Sequence, residues 1–176
     1  MNRLPHGCAL RRATPADIDN YAAISRRTFA DTYRGTHSAE VLERHVGARF
    51  TEEALRIELS DATREALVVT RGDAWVGYVL LHEGAPPSDV HGSHPVEVER
   101  FYVDADWHGR GVARPLMEAA LDAARVRGGD VAWLSVWQEN PRAVRFYERC
   151  GFVVVGSATY LFDGHPESDH LMAIAL

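Results

Sequence analysis

Two closely spaced glycines stand between a predicted strand and a predicted helix. Gly109 and Gly111 follow the strand expected at 96–103, and the helix is expected from about 111 to 127. Free N–H groups at a helix N-terminus attract an anion, and small residues such as Ala113 let a phosphate reach the backbone. The segment therefore predicts an anion site, with a plain glycine turn as the alternative.

The spacing of this turn excludes two common nucleotide sites. No G-x-x-x-x-G-K-[ST] run is present, which removes the usual site for a nucleoside triphosphate. Arg114 occupies the place where a dinucleotide-binding turn would have its third glycine. The expected anion is therefore neither ATP nor NAD.

A second segment is expected to form a helix after a strand. Asn140 suits an N-cap, Pro141 the first helical position, and Gly151 the residue that ends the helix. Tyr147 has the helical spacing from Ala143 that is typical of a buried core tyrosine. Taken alone, each of these residues has a sufficient structural explanation.

Together the two segments resemble the GNAT superfamily of N-acetyltransferases. The run His108–Ala113 is similar to the acetyl-CoA pyrophosphate signature Q/R-x-x-G-x-G/A, and Glu99–Val103 resembles the strand before it. Trp133–Phe152 resembles the second signature of the superfamily. His108 replaces the usual Gln or Arg, and Pro115 falls in or near the first helical turn, so we expect a weaker or pH-sensitive pyrophosphate contact.

The resemblance implies acetyl-CoA as co-substrate and no metal. In the family, the backbone of Phe101–Val103 pairs with the pantetheine arm and offers an N–H to the developing oxyanion. Tyr147 falls at the position of the general acid that protonates the departing CoA thiolate. The implied CoA-binding residues are Phe101, Tyr102, Val103, His108, Gly109, Arg110, Gly111, Val112, Ala113, Arg114, Asn140, Arg142 and Tyr147.

Two glutamates are candidates for the general base. An acceptor amine with a pKa near about 10 is mostly protonated at neutral pH, so a base is needed. Alternation along the strand puts Glu97 and Glu99 on one face together with Phe101 and Val103. We assign the base, or a water-relay role, to Glu99 first and Glu97 second; a solvated strand end is the alternative.

A closer resemblance is to PaiA-type polyamine acetyltransferases. It rests on Thr28–Tyr33, Arg49–Leu59, Trp133–Asn140 and Asp169–Met172. It implies a spermidine-like acceptor, which would suit the negative net charge of the chain. It also makes a homodimer plausible. The acidic residues near the C-terminal hairpin are Asp163, Glu167 and Asp169.

Two alternatives to polyamine acetylation stay open. The acceptor could be a protein N-terminus, a lysine or another small amine. The chain could also be a non-catalytic module that binds acetyl-CoA as a regulatory signal. Competition among free amines for acetylation would distinguish the candidate acceptors. Turnover of acetyl-CoA with any amine would distinguish an enzyme from a non-catalytic module.

Composition limits the classes of partner and location. The chain has 176 residues, 46% of them hydrophobic, and a formal net charge of -6, which disfavours nucleic acid and anionic membranes. It has two cysteines, Cys8 and Cys150, no long apolar run and no signal-like start, so we expect a cytoplasmic protein. Of the nine histidines, the nearest pairs are His91 with His94 and His165 with His170; neither has the spacing of a metal site, and both are interpreted as loop histidines.

The order of elements predicts a single α/β domain over residues 1–176. We expect a GNAT fold with a mixed, mostly antiparallel sheet of about six to seven strands flanked by helices. Thr14, Ser38 and Thr51 are the expected caps of the N-terminal helices. The expected strands are 66–70, 74–83, 96–103, 131–137, 152–161 and 170–176, and the later helices are 111–127 and 140–150.

Overall fold

The computed structural model describes residues 3–176, which contain five α-helices and seven strands. The helices are α1 (Ile18–Tyr33), α2 (Ala39–Arg49), α3 (Glu52–Ser60), α4 (Ala113–Val126) and α5 (Pro141–Cys150). The strands are β1 (Cys8–Arg12), β2 (Arg64–Arg71), β3 (Ala74–His82), β4 (Pro95–Val103), β5 (Val131–Trp137), β6 (Val153–Phe162) and β7 (His165–Ala175).

The strands form one open, mostly antiparallel sheet, which confirms the predicted α/β GNAT fold. Over the described residues its order is β1-β2-β3-β4-β5-β7-β6. β4 and β5 are parallel, whereas β5 with β7 and β6 with β7 are antiparallel. The parallel pair is joined through α4, as a strand-helix-strand crossover requires.

Two strands differ from the sequence-based expectation. β1 was not predicted as a strand, yet it pairs with β2 from Cys8↔Arg71 to Arg12↔Leu67. β7 begins at His165 rather than His170, because the polar residues that follow the hairpin turn pair in register with β6. In both places, pairing with a neighbouring strand outweighs weak local strand propensity.

The predicted helix caps are present, with one change at the first. Ser38 Oγ accepts from the N–H of Val41, and Thr51 Oγ1 accepts from the N–H of Ala54. The segment Pro15–Asp17 is a 3₁₀-helix, and α1 starts after it. Asp17 and Thr14 are still joined there, because the Thr14 N–H and hydroxyl both donate to the Asp17 carboxylate.

The chain divides into two compact units. The first comprises the residues up to Leu80 together with Arg100–Glu118, and the second comprises Leu81–Glu99 and Ala119–Leu176. In the first unit, α1 buries an aromatic face: Tyr21 is fully buried against Tyr78 with ring centroids 5.4 Å apart. Apolar burial of this kind, at about 25 cal/mol per Å², is the main stabilising contribution in a unit of this size.

One buried ion pair joins β4 to α3 within the first unit. Arg100 is 5% exposed and donates through both terminal nitrogens to the Glu58 carboxylate, at 2.6 Å each. The Tyr21 hydroxyl donates to Glu58 at 3.1 Å and accepts from Arg100 at 3.2 Å. This network fixes which face of β4 turns towards the helices, because Arg100 cannot leave its carboxylate without a large desolvation cost.

The second unit has its own core on each face of its strands. Val90, Trp133, Leu171 and Ala173 form a buried cluster on one face. On strand β5 the intervening residues Ala132, Leu134 and Val136 are buried as well, as expected for the opposite face.

Glu58→Gln should destabilise the chain by about 3–5 kcal/mol, because it leaves the Arg100 guanidinium buried without its counter-charge. Urea unfolding followed by circular dichroism measures the loss. The matched control is Glu52→Gln on the same helix, where the carboxylate is 62% exposed and pairs with Arg56 at 2.7 Å. That control should cost less than about 0.5 kcal/mol. Equal losses in the two variants would contradict the role given to the buried pair.

Candidate active site

The predicted anion-binding turn has a backbone that favours glycine. Gly109 has φ +73° and Gly111 has φ +82°, both in the left-handed region. A side chain at Gly109 would meet no atom within 4 Å, and one at Gly111 would meet only Pro5 Cγ at 3.9 Å. The glycines are therefore required by the backbone conformation and not by crowding, and the space outside the turn is open to a ligand.

Helix α4 begins directly after this turn. As in any α-helix, the first N–H groups of α4 have no partner within the helix and are available to an anion. Val112 is buried, and its side chain packs towards Gly77 of β3, which anchors the helix start. Pro115 is the third residue of α4, where no helical hydrogen bond is lost. The weaker pyrophosphate contact expected at Pro115 would therefore come from the missing N–H, because the turn offers one donor fewer to an anion, and not from a broken helix.

The side chains of the turn have structural partners. The His108 ring lies with Nε2 2.8 Å from the Val103 carbonyl oxygen, which ties the turn to the end of β4. The Arg110 guanidinium lies 5.8 Å from the Trp107 ring centroid. Arg114 pairs with Glu118 at 3.1 Å within α4. In this conformation backbone groups, more than side chains, are available for phosphate at this turn.

The end of β4 leads into the turn through half-buried residues. Phe101, Tyr102 and Val103 are all partly buried. Tyr102 stacks on Tyr78 with ring centroids 5.8 Å apart. A side chain at Gly77 would come within 3.1 Å of the Tyr102 carbonyl oxygen, so glycine permits this close approach of β3. The strand end is thus held rigidly on one side.

The two candidate bases lie together in the second unit. Glu97 and Glu99 are half-buried on one face of β4, and Val98 between them is buried, as the alternation predicts. His82 at the end of β3 lies between them, with Nδ1 3.5 Å from Glu97 Oε2 and 3.7 Å from Glu99 Oε2. A methyl group at position 84 would lie 2.6 Å from the His82 ring, so the absence of a side chain at Gly84 makes room for the ring.

His82 is a candidate residue that the sequence analysis missed. Its place beside the glutamates depends on the register between β3 and β4. The long loop between these strands leaves that register open in the sequence. The position of His82 within its own strand does not by itself indicate a functional role.

Helix α5 presents the remaining predicted residues. Asn140 caps the helix, with Oδ1 accepting from the N–H of Ala143 at 3.1 Å. Arg142 is exposed in the first turn. Tyr147 is 8% exposed and packs edge-on against Phe152 with ring centroids 5.9 Å apart. Burial raises the pKa of Tyr147 above its ordinary value, so the phenol keeps its proton across the neutral and mildly alkaline range.

Two negative observations concern residues 3–176 alone. Among the helices of this range, none has both the length and the apolar character needed to cross a membrane. In the same described residues, no three or more His, Cys, Asp or Glu side chains are grouped so that they could hold a metal ion.

Comparison with known proteins decides the family. The sequence profile of the Acetyltransferase (GNAT) family matches residues 26–152. The chain is 31% identical over 156 residues to an uncharacterized N-acetyltransferase of Mycobacterium tuberculosis, covering 89% of this chain and 96% of the relative. This chain belongs to the GNAT acetyltransferase family. It is an acetyl-CoA-dependent N-acetyltransferase, as the two sequence signatures predicted.

Solved structures of GNAT proteins share the fold. The PaiA N-acetyltransferase of Thermoplasma acidophilum, solved with coenzyme A, has a TM-score of 0.75 and 19% identity, covering 96% of this chain and 99% of that one. NAA60 of Arabidopsis thaliana, solved with a bisubstrate analogue, has a TM-score of 0.76 and 17% identity, covering 96% and 99%. At these identities the likeness is one of fold.

In this GNAT acetyltransferase, Gly111→Ala should weaken acetyl-CoA binding about tenfold, because the left-handed backbone costs an L-residue roughly 1–2 kcal/mol and the turn would relax away from its shape. Isothermal titration calorimetry measures the affinity.

Gly128→Ala is the matched control for that variant. Gly128 has φ +84°, also has open space around it, and follows the opposite end of the same helix α4. It should lose similar stability and keep its acetyl-CoA affinity. Unchanged affinity in Gly111→Ala would rule out the turn as a CoA contact.

Proposed function

We propose that this GNAT enzyme acetylates a primary amine by direct attack on acetyl-CoA in a ternary complex, with a polyamine as the preferred acceptor. The observation that carries the donor half is the glycine turn of Gly109 and Gly111 at the start of α4. We also propose that residues 1–176 act as one catalytic domain.

The donor-binding role falls to backbone groups in this proposal. The N–H groups after Gly111 receive the pyrophosphate, aided by the dipole of α4. The backbone of Phe101–Val103 pairs with the pantetheine arm, and one of its N–H groups stabilises the developing oxyanion. Arg110 and Arg142 are exposed and contribute positive charge near phosphate. The side-chain oxygen of Asn140 caps α5, so its amide NH₂ group can donate hydrogen bonds to acetyl-CoA.

Glu99 is the proposed acceptor of the proton from the amine, directly or through a water, with Glu97 in second place. His82 lies within 4 Å of both carboxylates. A carboxylate beside an imidazole can pass a proton on to it. The arrangement supports a base that returns to its ionised form after each turnover.

Tyr147 is the proposed acid for the leaving thiolate. Burial keeps its phenol protonated, so the hydroxyl can donate to sulfur as the thioester breaks. The bonds and protons balance over one turnover: the amine nitrogen gives a proton to Glu99 and forms a bond to the acetyl carbon, the carbon–sulfur bond breaks, and the thiolate takes a proton from Tyr147. The proton held by Glu99 then returns through solvent to the Tyr147 phenolate.

Two observations favour a cationic acceptor. The chain carries a formal net charge of -6, and Glu97 and Glu99 lie on the same strand face. The fold is shared with the PaiA N-acetyltransferase, and with NAA60 in complex with a bisubstrate analogue. A protein N-terminus, a lysine or another small amine is the second candidate acceptor, and a non-catalytic acetyl-CoA module is the third candidate function.

Release of the CoA thiol with saturating acetyl-CoA tests the acceptor. The panel contains spermidine, spermine, lysine peptides, peptide N-termini, amino acids and aminoglycosides. We expect the highest kcat/KM with spermidine or spermine, because two or more positive charges suit an acidic site. Turnover with peptides alone would replace the polyamine by a protein acceptor. Silence across the panel, with acetyl-CoA still bound, would replace the enzyme by the regulatory module.

Tyr147→Phe should lower kcat about a hundredfold and leave acetyl-CoA affinity nearly unchanged, because it removes only the proton donor. Tyr78→Phe is the control, since Tyr78 is likewise a buried tyrosine with a raised pKa and has no assigned role in the chemistry. A wild-type kcat in Tyr147→Phe would remove the general acid from the mechanism.

A further inference from the structure

A second polar cluster lies on β5 and β7 in the second unit, outside the residues assigned above. Trp137 lies directly opposite Asp169 in the antiparallel ladder, and Ser135 lies opposite Leu171. Because side chains alternate along a strand, Ser135, Trp137, Asp169 and Glu167 project from one face. Glu97 of β4 projects from this face as well. It is paired with Trp133 of β5, and Trp133 lies on the same face of that strand as Ser135 and Trp137.

Each carboxylate of the cluster accepts a hydrogen bond from β5. The Ser135 hydroxyl donates to Asp169 Oδ2 at 2.6 Å. The Trp137 indole N–H donates to Glu167 Oε2 at 3.0 Å. Donors on one strand thus hold two acidic side chains of the next strand in fixed positions.

Asp169 has one oxygen that the described residues do not satisfy. Its side chain is buried, with the residue 8% exposed, and Oδ1 has no hydrogen-bond partner among residues 3–176. A buried carboxylate oxygen without a donor is destabilising, because it has lost water without gaining a hydrogen bond. Burial accordingly raises the pKa of Asp169, and the nearby Glu167 charge raises it further. A fold that retains such a group gains from a cationic ligand that satisfies it.

The cluster borders solvent and has the right chemistry for an ammonium group. Ser135 is exposed and Glu167 is half-buried, whereas Asp169 Oδ1 is buried beside them. An ammonium group has three donors and no acceptor, so it can donate to the lone pairs of Ser135 and to the carboxylate of Glu167, and its charge offsets that of Asp169. The aromatic ring of Trp137 on the same face adds a surface that favours cations.

The position of the cluster relative to Glu97 sets the kind of ligand. Both lie on one face, and β4 and β7 are separated by one strand. The β5 partners of Glu97 and Asp169, Trp133 and Trp137, lie four residues apart, so the backbones at Glu97 and Asp169 are about 16 Å apart. A simple amine cannot span that distance, whereas an extended chain with amines at both ends can.

We propose that Ser135 and Asp169, with Glu167 beside them, bind a second, non-reacting ammonium group of the acceptor. The chain therefore selects acceptors that carry two or more separated positive charges. This inference rests on the proposed acetylation of an amine, and it names the residues that choose the acceptor.

The test compares spermidine with n-butylamine, which keeps one primary amine and lacks the second charge. Binding to the chain saturated with CoA is measured by calorimetry, so that the result does not depend on turnover. In Asp169→Asn we expect spermidine affinity to fall on the order of tenfold, the loss typical of a hydrogen bond between charged groups. Affinity for butylamine should stay within about twofold.

Asp163→Asn is the matched control, because it removes the same charge from the β6–β7 hairpin at a left-handed position that asparagine tolerates. It should bind spermidine nearly as the wild type does. If Asp169→Asn does not fold, Ser135→Ala at the exposed position gives the same comparison, with a loss of a few-fold expected.

Each remaining outcome decides the question. Equal losses for spermidine and butylamine in Asp169→Asn would assign Asp169 a structural role and overturn the subsite. Unchanged or absent spermidine binding would overturn it as well. Spermidine binding that depends on Asp169, without release of thiol, would keep the subsite and reject the proposed reaction.

Discussion

The orientation of strand β4 depends on the buried pair between Arg100 and Glu58. A strand shows its residues alternately to its two faces, so a shift of one residue would exchange them all. Arg100 is locked to Glu58 by two hydrogen bonds of 2.6 Å. Its odd-numbered neighbours Glu97, Glu99 and Phe101 are consequently held on the other face. A structural ion pair thus places the residues to which we assign the chemistry.

Two features that do not favour the folded state lie where we propose that ligands bind. Gly109 and Gly111 hold a left-handed backbone that any other residue would resist, and they precede a helix start with unused N–H groups. Asp169 holds a buried oxygen without a donor among the described residues. Neither feature is needed to pack a core. Both become favourable when an anion occupies the first and a cation the second, which is the charge pattern of CoA and a polyamine.

The sequence predicted the elements whose signals are local. Asn140, Pro141 and Gly151 mark the ends of α5, and the predicted bounds of β5 agree with the structure. The alternation of Glu97 and Glu99 was also correct. These features depend on capping and on the period of two, which are legible in a short stretch of chain.

The features that were missed depend on register between distant segments. β1 becomes a strand through its pairing with β2. His82 meets the two glutamates through the alignment of β3 with β4, and Ser135 meets Asp169 across the ladder of β5 and β7. No local pattern encodes these alignments. Signature motifs could therefore point to a donor site and to Glu97 and Glu99, whereas the three-dimensional structure was needed to bring His82, Ser135 and Asp169 into the proposed acceptor side.

Direct transfer in a ternary complex is the central claim, and the composition of the chain makes it easy to test. All 19 basic residues are arginine, so no lysine side chain can take up acetyl groups and obscure the result. The measurement is the intact mass of the chain after incubation with acetyl-CoA in the absence of amine. Direct transfer predicts an unchanged mass, with thiol released only when spermidine is added. A chain heavier by one acetyl group, from which spermidine then removes that group, would show a covalent acetyl-enzyme and contradict direct transfer.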